Sequence, residues 1–329
     1  MTLADIGEFA LIERIIARLP SGPGIVLGPG DDAAVVRAPD GRVVATTDLL
    51  VEDVHFDRDL SSGYDVGRKA AAQNLADVAA MGAAPTALLV GLAAPAALPV
   101  AWAEALADGL RDEAMAGGAA VAGGDVVRCD RLVVSVTALG DLAGRAPVTR
   151  AGARPGDVVL VVGRLGWAAA GLAVLRAGLG HEPDLARLAQ AHRQPVVAYP
   201  AALQLAEAGA SSMIDVSDGL ARDLGHVATR SAVRIELSAA DLPMGPELAT
   251  AAARLGIDPL SWLAGGGDDH AFAATLSDQD ARRVAVRIAG LARPWPVTQV
   301  GRVLAGSGLA WIDREPPGAP GHEHFADPG

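Results

Sequence analysis

Six short stretches that set aspartate beside glycine, serine or threonine punctuate this chain, and they constrain its fold more than any other feature. They are Gly-Pro-Gly-Asp-Asp at 28–32, Thr-Thr-Asp at 46–48, Asn-Leu-Ala-Asp at 74–77, Gly-Gly-Asp at 123–125, Asp-Val-Ser-Asp-Gly at 215–219 and Gly-Gly-Gly-Asp-Asp at 265–269. Such residues favour turns and element ends, so the chain must be assembled from short strands and helices that carry carboxylates. Carboxylates on small-residue segments are hard oxygen ligands held where backbone N–H groups can also approach a ligand. That combination suits magnesium and phosphate, because Mg²⁺ takes one or two protein carboxylates and fills its shell with water and substrate oxygens. Any single stretch also fits an ordinary turn or helix cap, in which aspartate binds nearby backbone N–H groups. Together, with like charges crowded at Asp31-Asp32, Asp215/Asp218 and Asp268-Asp269, they point to a shared polyphosphate–metal site, since such clusters cost stability unless a cation sits among them.

The charge balance agrees. At 329 residues the chain has room for two domains, and its net charge of −12 provides no basic stripe for nucleic acid. An acidic protein that handles anionic phosphates needs cations between itself and its ligand, which favours metal-dependent chemistry. Cys129 is the only cysteine, so neither an intrachain disulfide nor a thiolate zinc site is expected. No charged residue occurs from Val78 to Ala103, but Pro85, Pro95 and Pro99 interrupt that run, and it reads as a helix end, a buried strand and a turn rather than a membrane span. The N-terminus has no basic region followed by an apolar core. A soluble, cytoplasmic protein is expected, with no membrane partner.

Apolar periodicity predicts helices over 8–19, 64–81, 98–116, 167–177, 195–208, 278–291 and from about 220 to 230. Strands are expected over 33–36, 43–47, 87–93, 121–127, 132–139, 158–162, 212–216, 271–275, 297–303 and 309–312. Asn74 and Asp77 share one face of the second helix, so Asp77 is expected to point into a site. The Gly-, Arg- and Pro-rich stretch 140–156 marks a boundary between residues 1–145 and 146–329. The elements do not alternate strictly as βαβ, so the expected class is α+β, with two mixed α/β domains. A Walker-type phosphate loop, the protein-kinase signature set, a nucleophile elbow and a His-Glu-x-x-His zinc motif are all lacking.

One ordered series of residues carries more. It runs Gly7-Glu-Phe-Ala-Leu-Ile, Gly30-Asp-Asp-Ala-Ala, Thr46-Thr-Asp followed by Val54-His-Phe, and Asn74-Leu-Ala-Asp-Val-Ala-Ala-Met-Gly-Ala. It continues through Gly123-Gly-Asp, Arg150-Ala-Gly-Ala-Arg-Pro-Gly-Asp, Ile214-Asp-Val-Ser-Asp-Gly-Leu and Trp262 before Gly266-Gly-Asp-Asp-His. The series covers nearly the whole chain and resembles the thiamine-monophosphate kinase family, within the aminoimidazole ribonucleotide synthetase-like ATP-binding superfamily.

The resemblance implies transfer of the ATP γ-phosphoryl group to thiamine monophosphate, several Mg²⁺ ions and a homodimer. It implies an N-terminal domain, 1–145, for ATP, magnesium and dimerisation, and a C-terminal domain, 146–329, that completes the substrate and metal site. By position, Asp32, Thr46, Thr47, Asp48, Asp77, Asp125, Asp215 and Asp218 fall where the family holds magnesium. Gly124, Asp125, Arg150 and Ser217 match nucleotide-contacting positions, and His55, Asp268 and His322 match substrate-contacting ones. Asp77, Asp125, Asp218 and Arg150 are the candidate catalytic residues. The family commonly has Gly-Gly-Glu-Asp where this chain has Gly-Gly-Asp268-Asp269, and His322 stands near the position of an aromatic ring. The acceptor, a phosphate monoester, is already a dianion at neutral pH, so no general base is required. The alternatives are another enzyme of the superfamily, or a non-catalytic Mg-ATP sensor.

Overall fold

The computed structural model describes residues 1–29 and 33–317, so Asp31, Asp32 and His322 lie outside the described residues. The chain divides into two compact units: Met1–Ala79 with Ala83–Ala146, and Ala80–Gly82 with Pro147–Gly329. Both combine helices and sheet, as the mixed composition of elements required.

The first unit begins with α1 (Leu3–Ile16), whose path kinks at Gly7 with φ of 75°. The pair β1 (Ile25–Leu27) and β2 (Val35–Val36) follows, then β3 (Val44–Val51), α2 (Gly63–Ala80), β4 (Ala84–Ala94), α3 (Val100–Ala116), β5 (Ala120–Arg128) and β6 (Val133–Asp141). The sheet runs in the order β3-β6-β4-β5, with only β4 and β5 parallel. On one face Leu88, Leu92, Val134, Val136 and Ala138 are buried, and α2 lies over it. The helices α2 and α3 cross backbone to backbone. A Cβ at Gly67 would lie 2.2 Å from the Leu106 carbonyl oxygen, and one at Gly109 2.1 Å from that of Tyr64. This close approach, together with the alanine run on α2, sets α2 firmly beneath the sheet.

On the other face, β1 and β2 cover one end, where Ile25 packs with Ala87, Ala120 and Ala122. Among the described residues nothing covers the rest of that face, and Leu49, Leu89 and Val127 are 53 %, 37 % and 49 % exposed on it. The expected strand 43–47 extends to Val51, so Asp48 stands within β3 rather than at its end.

The second unit contains β7 (Val158–Val162), α4 (Trp167–Arg176), α5 (Ala186–Arg193), α6 (Tyr199–Glu207), β8 (Ser212–Val216), α7 (Leu220–Ser231) and β9 (Arg234–Leu237). It continues with α8 (Pro246–Leu255), α9 (Pro259–Gly265), β10 (Ala271–Leu276), α10 (Asp278–Ala289), β11 (Val297–Leu304) and β12 (Gly308–Trp311). The sheet order is β12-β9-β11-β7-β10-β8, antiparallel except for β9 with β12. Every residue of β7, β8 and β10 is buried, so these strands are covered on both faces. The expected helix 195–208 begins only at Tyr199, because residues 195–198 are not helical and Pro200 opens its first turn; α5 before it is a further helix. The strand β9 and the helices α8 and α9 add to the expected elements.

Candidate functional site

In the first unit, Thr46, Thr47 and Asp48 follow one another on β3 and therefore alternate between the faces of the sheet. Thr46 and Asp48 lie on the face that α2 covers. The Thr46 hydroxyl donates to Asp77 Oδ2 at 2.8 Å, and the Asp48 backbone N–H donates to Asn74 Oδ1 at 3.0 Å. Asn74 is fully buried and donates through Nδ2 to the Ala70 carbonyl. The shared face of Asn74 and Asp77 thus meets β3, and Asp77 lies beside Thr46 and near Asp48.

Thr47 lies on the uncovered face. Its hydroxyl donates to the Val136 carbonyl at 3.0 Å and accepts from Thr137 at 3.1 Å. Asp125 shares that face from β5, the opposite edge strand, and is exposed, with Oδ1 accepting from the Val126 N–H. Three interstrand steps separate the two edges, about 14 Å at the usual spacing. One copy of this unit therefore does not bring Asp125 together with Asp48 and Asp77. Gly124 has a packing reason as well as any binding one, because a Cβ there would lie 2.0 Å from the Val90 carbonyl oxygen.

His55 sits in the turn after β3, where Asp53 adopts φ of 66°. The Val51 N–H donates to His55 Nδ1 at 3.0 Å, and the His55 N–H donates back to the Val51 carbonyl at 2.9 Å. An accepting Nδ1 fixes the neutral ring with its proton on Nε2.

In the second unit, Asp215 is buried on β8 and lies 3.1 Å from His270 Nδ1. Ser217 and Asp218 follow in the loop to α7. They do not cap that helix: its N-cap is Gly219, without a side-chain hydrogen bond. Asp218 is half-buried, with Arg222 at 3.7 Å. The residue that organises this loop is Asp223, which lies outside the aspartate stretches singled out in the sequence. Its Oδ2 accepts from both the Ser217 N–H at 3.0 Å and the Asp218 N–H at 3.1 Å. Burial, and then the charge of Asp215, push its carboxyl up to about 7. The one available signal was an acidic residue in the first turn of a helix that follows an aspartate-rich loop.

The loop before β10 is bonded to this one. The Asp268 N–H donates to the Ser217 carbonyl and the His270 N–H to the Val216 carbonyl, both at 2.9 Å. A Cβ at Gly267 would lie 2.4 Å from the Ser217 carbonyl oxygen, so only glycine permits the approach. Asp268 and His270 hold left-handed backbone, with φ of 64° and 49°, which costs about 1 kcal/mol or more for each non-glycine residue. Asp269, between them, is buried and accepts from the Gly166 and Ala168 N–H groups at the start of α4. Burial pushes its carboxyl up to about 7, against the opposing effect of those two bonds. The Asp268-Asp269 pair therefore splits, with Asp269 anchoring a helix and the half-buried Asp268 left beside the loop. Arg150 is exposed, and its carbonyl accepts from the Ser231 hydroxyl, which also accepts from the Gly152 and Ala153 N–H groups.

Among the described residues no three His, Cys, Asp or Glu side chains form a ready metal cage. The arrangement still fits Mg²⁺, which needs only one or two carboxylates at a time and takes its other oxygens from water and phosphate. The donors are all hard oxygens, and the like charges of Asp215 and Asp218 both act on Asp223.

Asp269 gives a pH test. Its folded pKa of about 7 lies above the ordinary 3.8, so its contribution to stability is complete below pH about 4 and is lost as pH rises through about 7. The variant Asp269→Asn lacks this proton. In urea unfolding with EDTA, it should gain about 2.5 kcal/mol on the native chain between about pH 5 and about pH 8. Parallel stability curves for the two proteins would contradict the assignment.

Residues 30–142 match the family model for the N-terminal domain of AIR synthase related proteins. The thiamine-monophosphate kinase of Mycobacterium tuberculosis (strain ATCC 25618 / H37Rv) is 47 % identical over 329 residues, which cover 99 % of this chain and 94 % of that one. The crystal structure of thiamine-monophosphate kinase from Stenotrophomonas maltophilia K279a matches with a TM-score of 0.83 and 35 % identity, over 95 % of this chain and 98 % of that one. AaThiL complexed with AMPPCP and TMP matches with a TM-score of 0.77 and 32 % identity, over 99 % of both chains. These matches extend over 95 % or more of the chain, which belongs to the thiamine-monophosphate kinase family.

Proposed function

We propose that this chain phosphorylates thiamine monophosphate to thiamine diphosphate at the expense of ATP, by direct in-line, magnesium-assisted transfer. The likeness over 99 % of the chain to AaThiL complexed with AMPPCP and TMP carries this reading. We read residues 1–145 as the ATP-, magnesium- and dimer-forming domain, and 146–329 as the domain that brings the remaining metal- and substrate-binding residues. Asp32, Thr46, Thr47, Asp48, Asp77 and Asp125 from the first, with Asp215 and Asp218 from the second, would hold Mg²⁺. When bound, Mg²⁺ neutralises phosphate charge, which is the main obstacle when one polyanion attacks another.

The remaining work falls to the chain. Thr46 donates to Asp77 Oδ2 and so orients that carboxylate. Asp223 fixes the backbone at Ser217 and Asp218, so the Asp218 carboxylate and the Ser217 hydroxyl start from one arrangement. Arg150, exposed on a tied turn, supplies a positive charge to the nucleotide, and Gly124 allows close approach beside Asp125. The Nε2–H of His55 and the Asp268 carboxylate are assigned to thiamine monophosphate, as is His322. No residue need remove a proton from the acceptor, a phosphate dianion.

The reading predicts thiamine diphosphate and ADP in equal amounts when purified protein, ATP, Mg²⁺ and thiamine monophosphate are followed by phosphorus NMR. Asp77→Ala should lower kcat on the order of 100-fold or more with unchanged circular dichroism. Bound or hydrolysed ATP with an untouched acceptor would overturn the substrate assignment, and near-native turnover by the variant would overturn the role of Asp77.

A homodimer formed through the uncovered sheet face of the first unit is part of the proposal. That face offers Leu49, Leu89 and Val127 to a second copy, and a second copy offers a route to unite Asp125 with the residues on the far edge strand. Sedimentation should give a dimer for the native chain and a monomer for Leu49→Glu; a monomeric native chain would exclude this mode of assembly. We also read the enzyme as cytoplasmic, where ATP and Mg²⁺ are supplied; among the described residues no helix is long and apolar enough to cross a membrane.

A further inference from the structure

The second unit gathers positive charge at the same end of its sheet as the Asp218 and Asp268 loops. Val162 ends β7 and pairs with Phe272 near the start of β10 and with Val297 at the start of β11, while Val216 at the end of β8 pairs with Ala271. The segments 163–166 and 291–296 therefore leave the sheet at this end, and the Gly163 N–H joins them by donating to the Pro296 carbonyl at 3.1 Å. Each segment carries an arginine set over a tryptophan. Arg164 Cζ lies 4.1 Å from the Trp167 ring centroid, and Arg293 Cζ lies 4.7 Å from that of Trp295. Arg187, from the first turn of α5, brings a third guanidinium to 5.4 Å from the same Trp167 ring.

Carboxylates match only one of these three cations. Among the described residues neither Arg164 nor Arg293 has an ion pair, and Glu247, the carboxylate acting on Arg164, is bonded to Arg187 at 2.5 Å. Arg164 is half-buried, and its guanidinium is held below the usual arginine range by burial first and then by the charges of Arg187 and Arg293. A chain with 39 acidic residues and a net charge of −12 has ample means to neutralise such a cluster, yet the cluster keeps more guanidinium than carboxylate. Stacking on tryptophan orients a guanidinium and stabilises its charge, but it leaves the planar fork of N–H donors for an in-plane acceptor. Phosphate oxygens match that fork in geometry and charge. Three guanidiniums less one carboxylate leave a surplus that suits a diphosphate better than a singly charged anion.

We propose that Arg164, Arg187 and Arg293, seated on Trp167 and Trp295, form a metal-independent patch that binds the diphosphate group of an anionic ligand. The patch uses the chain's own cations where the aspartate loops require magnesium, and it stands independently of the transfer reaction proposed above.

The test is calorimetric titration of the full chain with inorganic pyrophosphate in excess EDTA, which disables magnesium-dependent binding. One pyrophosphate should bind per chain, and the double variant Arg164→Gln/Arg293→Gln should weaken binding about 10-fold or more. Arg293 is exposed, so Arg293→Gln alone keeps the test valid if the Arg164 substitution unfolds the protein; it should still weaken binding several-fold. Equal affinities for pyrophosphate, ADP and thiamine diphosphate would show a patch that reads the diphosphate alone, whereas tighter binding of one organic diphosphate would identify its source. The absence of binding in EDTA, or unchanged binding by the variants, would overturn the proposal and leave the phosphoryl-transfer reading untouched.

Discussion

The interaction on which the second unit's functional end depends is the pair of hydrogen bonds that Asp223 accepts from the Ser217 and Asp218 backbone. A buried carboxylate near two others is an expensive way to shape a loop, and burial with the charge of Asp215 drives its pKa upward. The structure compensates in part through backbone: the Ser217 carbonyl takes the Asp268 N–H, the Val216 carbonyl takes the His270 N–H, and Gly267 lets the two loops touch. The left-handed conformations of Asp268 and His270 are held by this knot and by Asp269, which is fastened to the first turn of α4. The negative charge left over is of the kind a divalent cation relieves.

The first unit meets the same demand by other means. Its carboxylates ride on regular elements, with Asp48 on an edge strand and Asp77 on a helix held tightly to its neighbour through Gly67 and Gly109. Fully buried Asn74 bonds the Asp48 backbone and so sets the register between helix and strand. Positions built on packed elements hold their geometry better than positions on loops. Alternation along β3 nevertheless divides Thr46 and Asp48 from Thr47, and the width of the sheet divides all three from Asp125.

Much of this was legible in the residues. Apolar runs located β7, β8 and β10 closely, because strands buried on both faces read as continuous hydrophobic segments. The spacing of Asn74 and Asp77 placed them on one helical face, and that face meets β3. Other features were hidden for physical reasons. Asp223 looks like any acidic residue near a helix start until the fold brings two N–H groups of the preceding loop to its carboxylate. Asp268 and Asp269 are indistinguishable as neighbours in sequence, and only the contact with α4 assigns one to anchoring. The helix α5 has a polar, arginine-bearing exposed face that masks its apolar one. The separation of Asp125 from Asp48 follows from strand order, which local pattern does not encode.

The role proposed for these aspartate-bearing segments is to receive a cation together with phosphate. Thermal unfolding at about pH 8, in EDTA and then in Mg²⁺ with a non-hydrolysable ATP analogue at about 100 times its Kd, tests it most directly. Ligation that depends on the aspartates should stabilise the native chain by about 2.7 kcal/mol, and Asp218→Asn should lose most of that gain while melting normally in EDTA. Equal stabilisation of the native chain and the variant, or none in either, would show that the aspartates do not receive the cation.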